Sequence, residues 1–114
     1  MIQGKGKLLR IFVGESNKHD GVPLYEWIIN MAKEAKMAGA TVIRGMEGFG
    51  VNSHIHTSKI LRLSQNLPII VEIVDDEKKI CEFLETINPH IKKGLATLET
   101  VEIVFSKFGT GEEE

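Results

Sequence analysis

A glycine-rich segment followed by two histidines holds most of the residues in this chain that could bind a ligand. Gly45, Gly48 and Gly50 fall within six residues, directly after a run that predicts a β-strand. Glycine tolerates positive φ angles and lets other groups approach the backbone, so the cluster suits a tight turn or a ligand cradle. The connection continues to Pro68, and connections of this length inside a small domain are often functional.

Two histidines follow the glycines. His54 and His56 are separated by one residue, so both rings would project to the same side of an extended segment. That spacing suits contact with a metal, a phosphate or an adenine ring, or a structural role in hydrogen bonding. Two histidines are fewer than the ligands of a closed zinc site. Further ligands could come from subunit symmetry or from Glu47, His19 or His90.

Basic and aromatic residues accompany the glycines. Arg44, Lys59 and Arg62 are suitable partners for a phosphate or a carboxylate, or else they form a solvated face with salt bridges. Phe49 stands between two glycines, where it would serve as a stacking platform for a base or as an anchor of the loop in the core. We expect the anchor.

The composition indicates one folded domain. Of 114 residues, 42% are hydrophobic and 26% are charged, and the formal net charge is −2. No basic block that would attract nucleic acid occurs, and no apolar run is long enough to cross a membrane. The N-terminal residues lack the apolar core of a signal peptide, and a single cysteine, Cys81, fits a reducing compartment. We therefore predict a single domain over residues 1–108, a mobile acidic tail over residues 109–114 and a cytoplasmic location.

The periodicity of apolar residues predicts the order strand, helix, strand, strand, helix, strand. Strands are expected over residues 7–13, 40–44, 67–74 and 100–105. One amphipathic helix is expected to begin at Pro23 and to stop at Gly39, and a second to run from Asp75 to Asn88. This order predicts an α+β, ferredoxin-like βαββαβ fold, in which two helices cover one face of a four-stranded antiparallel sheet.

The other face of this sheet is predicted to mix apolar and charged residues. We expect the helices to cover Leu9, Ile11, Val13, Val101, Ile103 and Phe105. The opposite face then carries Leu8, Arg10, Phe12, Ile70, Glu72, Val74, Glu102 and Val104. Such a face indicates a subunit interface in which Arg10 pairs with Glu72 or Glu102. An ordinary solvated face is the alternative.

Five short motifs occur in order along the chain. They are Pro23-Leu24-Tyr25, Gly39-Ala40-Thr41-Val42, Gly45-Met46-Glu47-Gly48-Phe49-Gly50, Ser53-His54-Ile55-His56 and Leu67-Pro68-Ile69-Ile70-Val71. With these motifs, residues 5–108 resemble a family of small uncharacterised conserved prokaryotic proteins that is grouped with the PII-like signalling proteins of the nitrogen-regulatory PII superfamily.

The resemblance implies a compact homotrimer without catalytic activity, with the sheets lining its centre. PII-like proteins bind adenine nucleotides or other small effectors in clefts between subunits. A mobile loop after the second strand then reports the bound state to a partner such as a membrane transporter or an enzyme. The resemblance implies no required cofactor, no nucleic acid and no membrane insertion.

The resemblance also implies positions for the ligand. Gly48-Phe49-Gly50 matches the base of the signalling loop, and Lys92-Lys93-Gly94 occupies the place of the phosphate-binding loop. The arginine pair that the family pattern has after the last strand is reduced to Lys107. Because each phosphate charge needs a donor or a counter-ion on desolvation, fewer cations favour a nucleotide such as AMP over a triphosphate. The predicted ligand-binding residues are Arg44, Gly48, Phe49, Gly50, Ser53, His54, His56, Lys59, Arg62, Lys92, Lys93 and Gly94.

Two other functions stay open. One is a divalent-metal-binding protein of the same fold, as in cation-tolerance proteins, and the other is a small enzyme acting on a phosphorylated metabolite. No serine or cysteine nucleophile accompanies a histidine and a carboxylate in a recognisable motif, and the common glycine-rich nucleotide signatures do not occur. The sequence therefore predicts no catalytic residues.

Overall fold

Eight elements make up the part of the chain that the computed structural model describes, residues 4–50 and 67–107. In chain order they are β1 (Gly4–Gly14), β2 (Lys18–His19), β3 (Val22–Pro23), α1 (Leu24–Glu34), β4 (Thr41–Arg44), β5 (Pro68–Asp75), α2 (Glu77–Ile87) and β6 (Leu95–Ile103). A 3-10 turn, Asn88–His90, follows α2 directly. The predicted tail, residues 109–114, lies outside the described residues.

The main sheet has four antiparallel strands in the order β4-β5-β1-β6. Strand β1 lies inside the sheet, where it pairs with β5 on one edge and with β6 on the other. Its side chains alternate between the two faces of the sheet. The order confirms the predicted α+β, ferredoxin-like fold. Neither α1 nor α2 is long and apolar enough to cross a membrane.

The core lies between the sheet and the two helices. Four triplets of side chains fill it, one each from β1, β5, α1 and α2: Leu9, Ile11, Val13; Ile69, Val71, Ile73; Leu24, Ile28, Ala32; Ile80, Phe83, Ile87. The strand residues recur at every second position and the helix residues at intervals of three or four, which are the periods of the two structures. The predicted core face of β1, formed by Leu9, Ile11 and Val13, is therefore confirmed.

The face assigned to the last strand is wrong. Strand β6 begins at Leu95 rather than at Thr100, and its register with β1 pairs Leu98 with Leu9 and Val101 with Gly6. Residues that pair across antiparallel strands project to the same face. Val101 and Ile103 therefore share the face of Leu8 and Arg10, away from the helices, whereas Glu102 lies on the helix side. Val104 and Phe105 follow the end of β6 and are 76% and 66% exposed.

Arg10 lies at the centre of the face that the helices leave open. Its Nε donates to Glu72 Oε2 at 2.9 Å, and its Nη1 donates to Glu99 Oε1 at 3.1 Å. The hydrogen bond to Glu72, with the nearby charges of Glu99 and Glu72, raises the pKa of Arg10 above its ordinary value against a smaller opposing effect of burial. The predicted partner Glu72 is thus confirmed as a partner within one chain, whereas Glu99 takes the place expected for Glu102.

A small hairpin precedes α1. Strands β2 and β3 pair through Lys18 with Pro23 and His19 with Val22, and the turn residues Asp20 and Gly21 have φ angles of 52° and 82°. Two successive positive φ angles at an Asp-Gly pair are typical of a type I′ turn. The segment before α1 is therefore a defined hairpin that places His19 against Trp27 of α1.

Helix α1 ends before the predicted stop at Gly39. Lys36 has a φ of 59°, its N–H bonds to the Lys33 carbonyl at 3.0 Å, and the Met37 N–H bonds to the Ala32 carbonyl at 3.0 Å. These two bonds are those of a Schellman motif, in which the residue in the left-handed conformation is usually glycine. Helix α1 therefore stops at Lys36, whose left-handed backbone conformation is unfavourable for a residue with a Cβ.

Replacing Lys36 by glycine is expected to stabilise the fold. A left-handed residue with a Cβ costs about 1–2 kcal/mol, of which the greater flexibility of unfolded glycine cancels a part, so Lys36→Gly should raise the free energy of unfolding by about 0.5–1 kcal/mol. Urea unfolding at a fixed protein concentration measures this change. The matched control, Lys33→Gly in the last turn of α1, should lower stability; a Lys36→Gly chain no more stable than wild type would contradict the interpretation.

Candidate ligand-binding site

The segments predicted to bind a ligand leave the sheet at one end. The register pairs Gly14 with Pro68 and Phe12 with Leu95, and it pairs Arg44 with Ile69. The end of β4 and the start of β6 therefore lie at the same end of the sheet, on its two opposite edge strands. The glycine-rich segment after Arg44 and the lysine loop before Leu95 consequently start from the same end of the sheet.

Two of the glycines are explained by close packing on Pro68. The Gly45 N–H donates to the Pro68 carbonyl at 2.7 Å, which extends the pairing of β4 with β5 by one residue. A Cβ added at Gly45 would lie 2.7 Å from Pro68 Cγ, and one at Gly48 would lie 3.2 Å from the same atom. Gly50 has a φ of 129° and open space around it, so its requirement for glycine is conformational.

Arg44 is held by an acidic partner. Its Nη2 donates to Glu15 Oε2, and the Glu15 N–H donates to the Leu67 carbonyl at 2.8 Å. The pair thus ties the end of β4 to the segment after β1 and to the residue before β5. Arg44 is therefore partly neutralised by Glu15 rather than presented alone to a ligand.

Phe49 does not anchor the loop in the core, contrary to the expectation from the sequence. Its side chain is 77% exposed, as is that of Met46. The alternative role of Phe49, a stacking platform for a base, stays a prediction.

Lys92 and Lys93 border the larger of the cavities at this edge. The cavity has a volume of about 450 Å³ and is lined by Asn17, Lys18, His19, Asp20, Leu24, Pro89, His90, Lys92 and Lys93. Gly94 lets the lysine loop pack closely against β1, because a Cβ there would lie 3.0 Å from the Phe12 carbonyl oxygen. Both lysines are exposed, so their ammonium groups are available to an anion in the cavity.

Two residues of this lining, His19 and His90, belong to an aromatic cluster with Trp27. His19 stacks on Trp27 with ring centroids 4.3 Å apart, and His19 Nε2 lies 3.0 Å from His90 Nδ1. From the sequence alone, His19 and His90 are predicted only as supplements to His54 and His56. The Asp20-Gly21 pair is the sequence signal that could have located the cluster, since it predicts the hairpin that carries His19 to Trp27.

The other predicted site residues cannot be placed. Ser53, His54, His56, Lys59 and Arg62 lie outside the described residues. Among residues 4–50 and 67–107, no group of three or more histidine, cysteine, aspartate or glutamate side chains is arranged to hold a metal ion. Near the end of the described chain, Lys107 Nζ lies 5.3 Å from the centroid of the Phe105 ring.

Comparison with known proteins identifies the family. The model of the family DUF190, described as "Uncharacterized ACR, COG1993", matches residues 6–103. The chain belongs to this family. A relative from Aquifex aeolicus, a UPF0166 protein, is 44% identical over 101 residues, which cover 89% of this chain and 95% of the relative. A UPF0166 protein from Methanocaldococcus jannaschii is 39% identical over 88 residues, covering 77% of this chain and 81% of the relative.

Two solved structures similar to this DUF190 protein come from proteins described as PII-like. CPII from Thiomonas intermedia, in a structure with ADP, AMP and acetate, superposes with a TM-score of 0.65 at 14% identity, covering 92% of this chain and 94% of that one. A protein from Thermus thermophilus, described as a putative PII-like signaling protein, gives a TM-score of 0.62 at 18% identity over 91% of this chain and 94% of that one. The fold is therefore PII-like, as the resemblance implied.

The packing of the glycines on Pro68 predicts an order of mutational effects. Gly45→Ala forces a backbone shift because the proline ring cannot move aside, and we expect a loss of about 1–3 kcal/mol in the free energy of unfolding. Gly48→Ala, with 3.2 Å available instead of 2.7 Å, should cost less. Chemical denaturation of both variants measures the difference. Equal losses, or a larger loss at Gly48, would show that contact with Pro68 does not determine these positions.

Proposed function

We propose that this DUF190 protein is a non-catalytic, cytoplasmic PII-like regulator that binds a small anionic effector between the subunits of a homotrimer. The effector is an adenine nucleotide with few phosphates, such as AMP. Binding changes how the segment after β4 fits a protein partner such as a transporter or an enzyme. The observation that carries the proposal is the basic cavity that the lysine loop borders in a PII-like fold.

The charges around the cavity support a small anion. Lys18, Lys92 and Lys93 contribute three ammonium groups to the lining, and Asp20 contributes one carboxylate. Arg44, the other cation at this edge, is paired with Glu15. A triphosphate would need more donors than a monophosphate to offset the cost of desolvation. These cations therefore favour a ligand with few phosphates.

The similar structures support the choice of nucleotide. CPII from Thiomonas intermedia is described in complexes with ADP and AMP. Its fold matches that of this protein over most of both chains. At 14% identity the two chains share a fold, and we extend nucleotide binding from CPII to this chain as a proposal.

The open face of the sheet supports the oligomer. By register it carries Leu8, Phe12, Ile70, Val74, Val101 and Ile103 around the Arg10–Glu72–Glu99 cluster. Neither helix covers these side chains, and a face of this size that mixes apolar groups with satisfied charges is suited to burial against copies of itself. We propose that three such faces form the centre of the trimer.

The cavity lining supports binding without catalysis. Within the described residues, the side chains around the cavity include no serine, threonine or cysteine that could act as a nucleophile beside His19 or His90. A hydroxyl or thiol in contact with a base is the common arrangement of a serine, threonine or cysteine nucleophile. We therefore propose that the site binds an anion and releases it unchanged.

Removing the two lysines of the loop before β6 should weaken AMP binding. Each ammonium makes a charge-assisted contact with phosphate that is worth about 1.5–3 kcal/mol, so Lys92→Ala with Lys93→Ala should raise the dissociation constant of AMP at least tenfold. Isothermal titration calorimetry of the purified full chain with AMP measures the change.

The matched control removes two lysines that lie away from the cavity. Lys33 on α1 and Lys78 on α2 are both exposed, so Lys33→Ala with Lys78→Ala lowers the net charge equally. This control should leave AMP binding within about twofold of wild type. Equal weakening in both double variants would reduce the effect to net charge, and unchanged binding without Lys92 and Lys93 would remove the loop from the site.

A further inference from the structure

His19 and His90 bring two ring nitrogens together although 71 residues separate them in the chain. Nε2 of His19 lies 3.0 Å from Nδ1 of His90, and the two ring centroids lie 4.9 Å apart at an interplanar angle of 72°. We propose that these two nitrogens form an open site for one transition-metal ion of the class that prefers imidazole, such as Ni²⁺ or Zn²⁺. This proposal concerns other residues of the same cavity and does not depend on the proposed nucleotide function.

The distances fit two ligands of one ion. Imidazole nitrogens bind zinc at about 2.0–2.1 Å, so two ligands that subtend an angle of about 90–110° are about 2.9–3.4 Å apart. The same geometry places the ring centroids about 4.6–5.2 Å apart when each nitrogen points at the ion. The observed separations of 3.0 Å and 4.9 Å both fall within these ranges.

The surroundings of His19 hold it in the orientation that a ligand needs. Asp20 Oδ2 lies 3.7 Å from Nδ1 of His19, the nitrogen that faces away from His90. A carboxylate near this nitrogen favours the tautomer that carries the proton there, which leaves the lone pair of Nε2 available to an ion. Trp27 stacks on the same ring with centroids 4.3 Å apart and limits its rotation.

Both histidines are placed by local backbone structure. The Asp20-Gly21 turn positions His19, and the 3-10 turn Asn88–His90 positions His90 directly after α2. Trp27 contacts both rings, since its centroid lies 4.9 Å from that of His90. Little ordering is therefore needed when an ion binds, which is the advantage of a preorganised site.

The ligand set defines the class of metal. Imidazole suits nickel, copper and zinc, whereas magnesium and calcium require oxygen ligands. Two protein ligands leave the remaining coordination positions to water, so the site is open. Lys18, Lys92 and Lys93 line the same cavity, and their positive charge opposes a cation, so binding should be weak and rapidly reversible.

Trp27 provides a local test, because it is the only tryptophan in the chain. Ni²⁺ held between the two histidines would quench its fluorescence. Titration of the full-length protein with Ni²⁺ at about pH 7.5, in a buffer that does not bind metal, should give saturable quenching below about 1 mM that EDTA reverses. Mg²⁺ at the same concentrations should leave the fluorescence unchanged.

Variants assign the quenching to this pair. His19→Ala and His90→Ala should each weaken the effect at least tenfold, with circular dichroism showing that the variants are folded. The chain has four histidines, so the matched control is His54→Ala with His56→Ala, which should quench as wild type does. Quenching that persists without His19 and His90, or that disappears without His54 and His56, would overturn the proposal.

A measurement on the unmodified protein avoids any effect of mutation on folding. Long-range ¹H–¹⁵N spectra of the wild-type histidines should show Zn²⁺ shifting Nε2 of His19 and Nδ1 of His90. Shifts at neither nitrogen during the titration would mean that the two rings share only a hydrogen bond, and the metal site would be rejected.

Discussion

Two helices can cover only one face of a four-stranded sheet, and this constraint shapes the rest of the protein. On the covered face, Leu9, Ile11 and Val71 are almost inaccessible to water. The open face places Arg10 between Glu72 and Glu99. A satisfied charge cluster surrounded by apolar side chains tolerates both water and contact with another copy, so the open face provides the basis for the proposed oligomer.

The functional features gather where strands end rather than where they pair. Glycines at one edge allow close contact with Pro68, and the lysine loop and the Asp20-Gly21 hairpin border a common cavity. A rigid sheet thereby supports short loops whose chemistry differs. The basic lining suits an anion, whereas the neighbouring pair His19 and His90 suits a transition-metal cation. The two proposed ligands would therefore use different residues of one cavity.

Local patterns predicted the element order and most of the covered face, because the periods of helix and strand are visible in short segments. They failed for the last strand, since its alternation fits either face and only pairing with β1 selects one. They also failed for Phe49, whose exposure depends on tertiary packing, and for the stop of α1 at Lys36, which depends on the geometry of the turn. Contacts such as Arg44 with Glu15, 29 residues apart, leave no local signal in the sequence.

Native mass spectrometry of the purified protein with AMP tests the central claim most directly, because one spectrum reports both assembly and ligand. Each chain has a mass of 12.7 kDa. We expect a species of three chains that gains up to three AMP molecules, one for each cleft between subunits, as the nucleotide is titrated. A monomer, or a trimer that acquires no AMP at concentrations well above the physiological range, would contradict it.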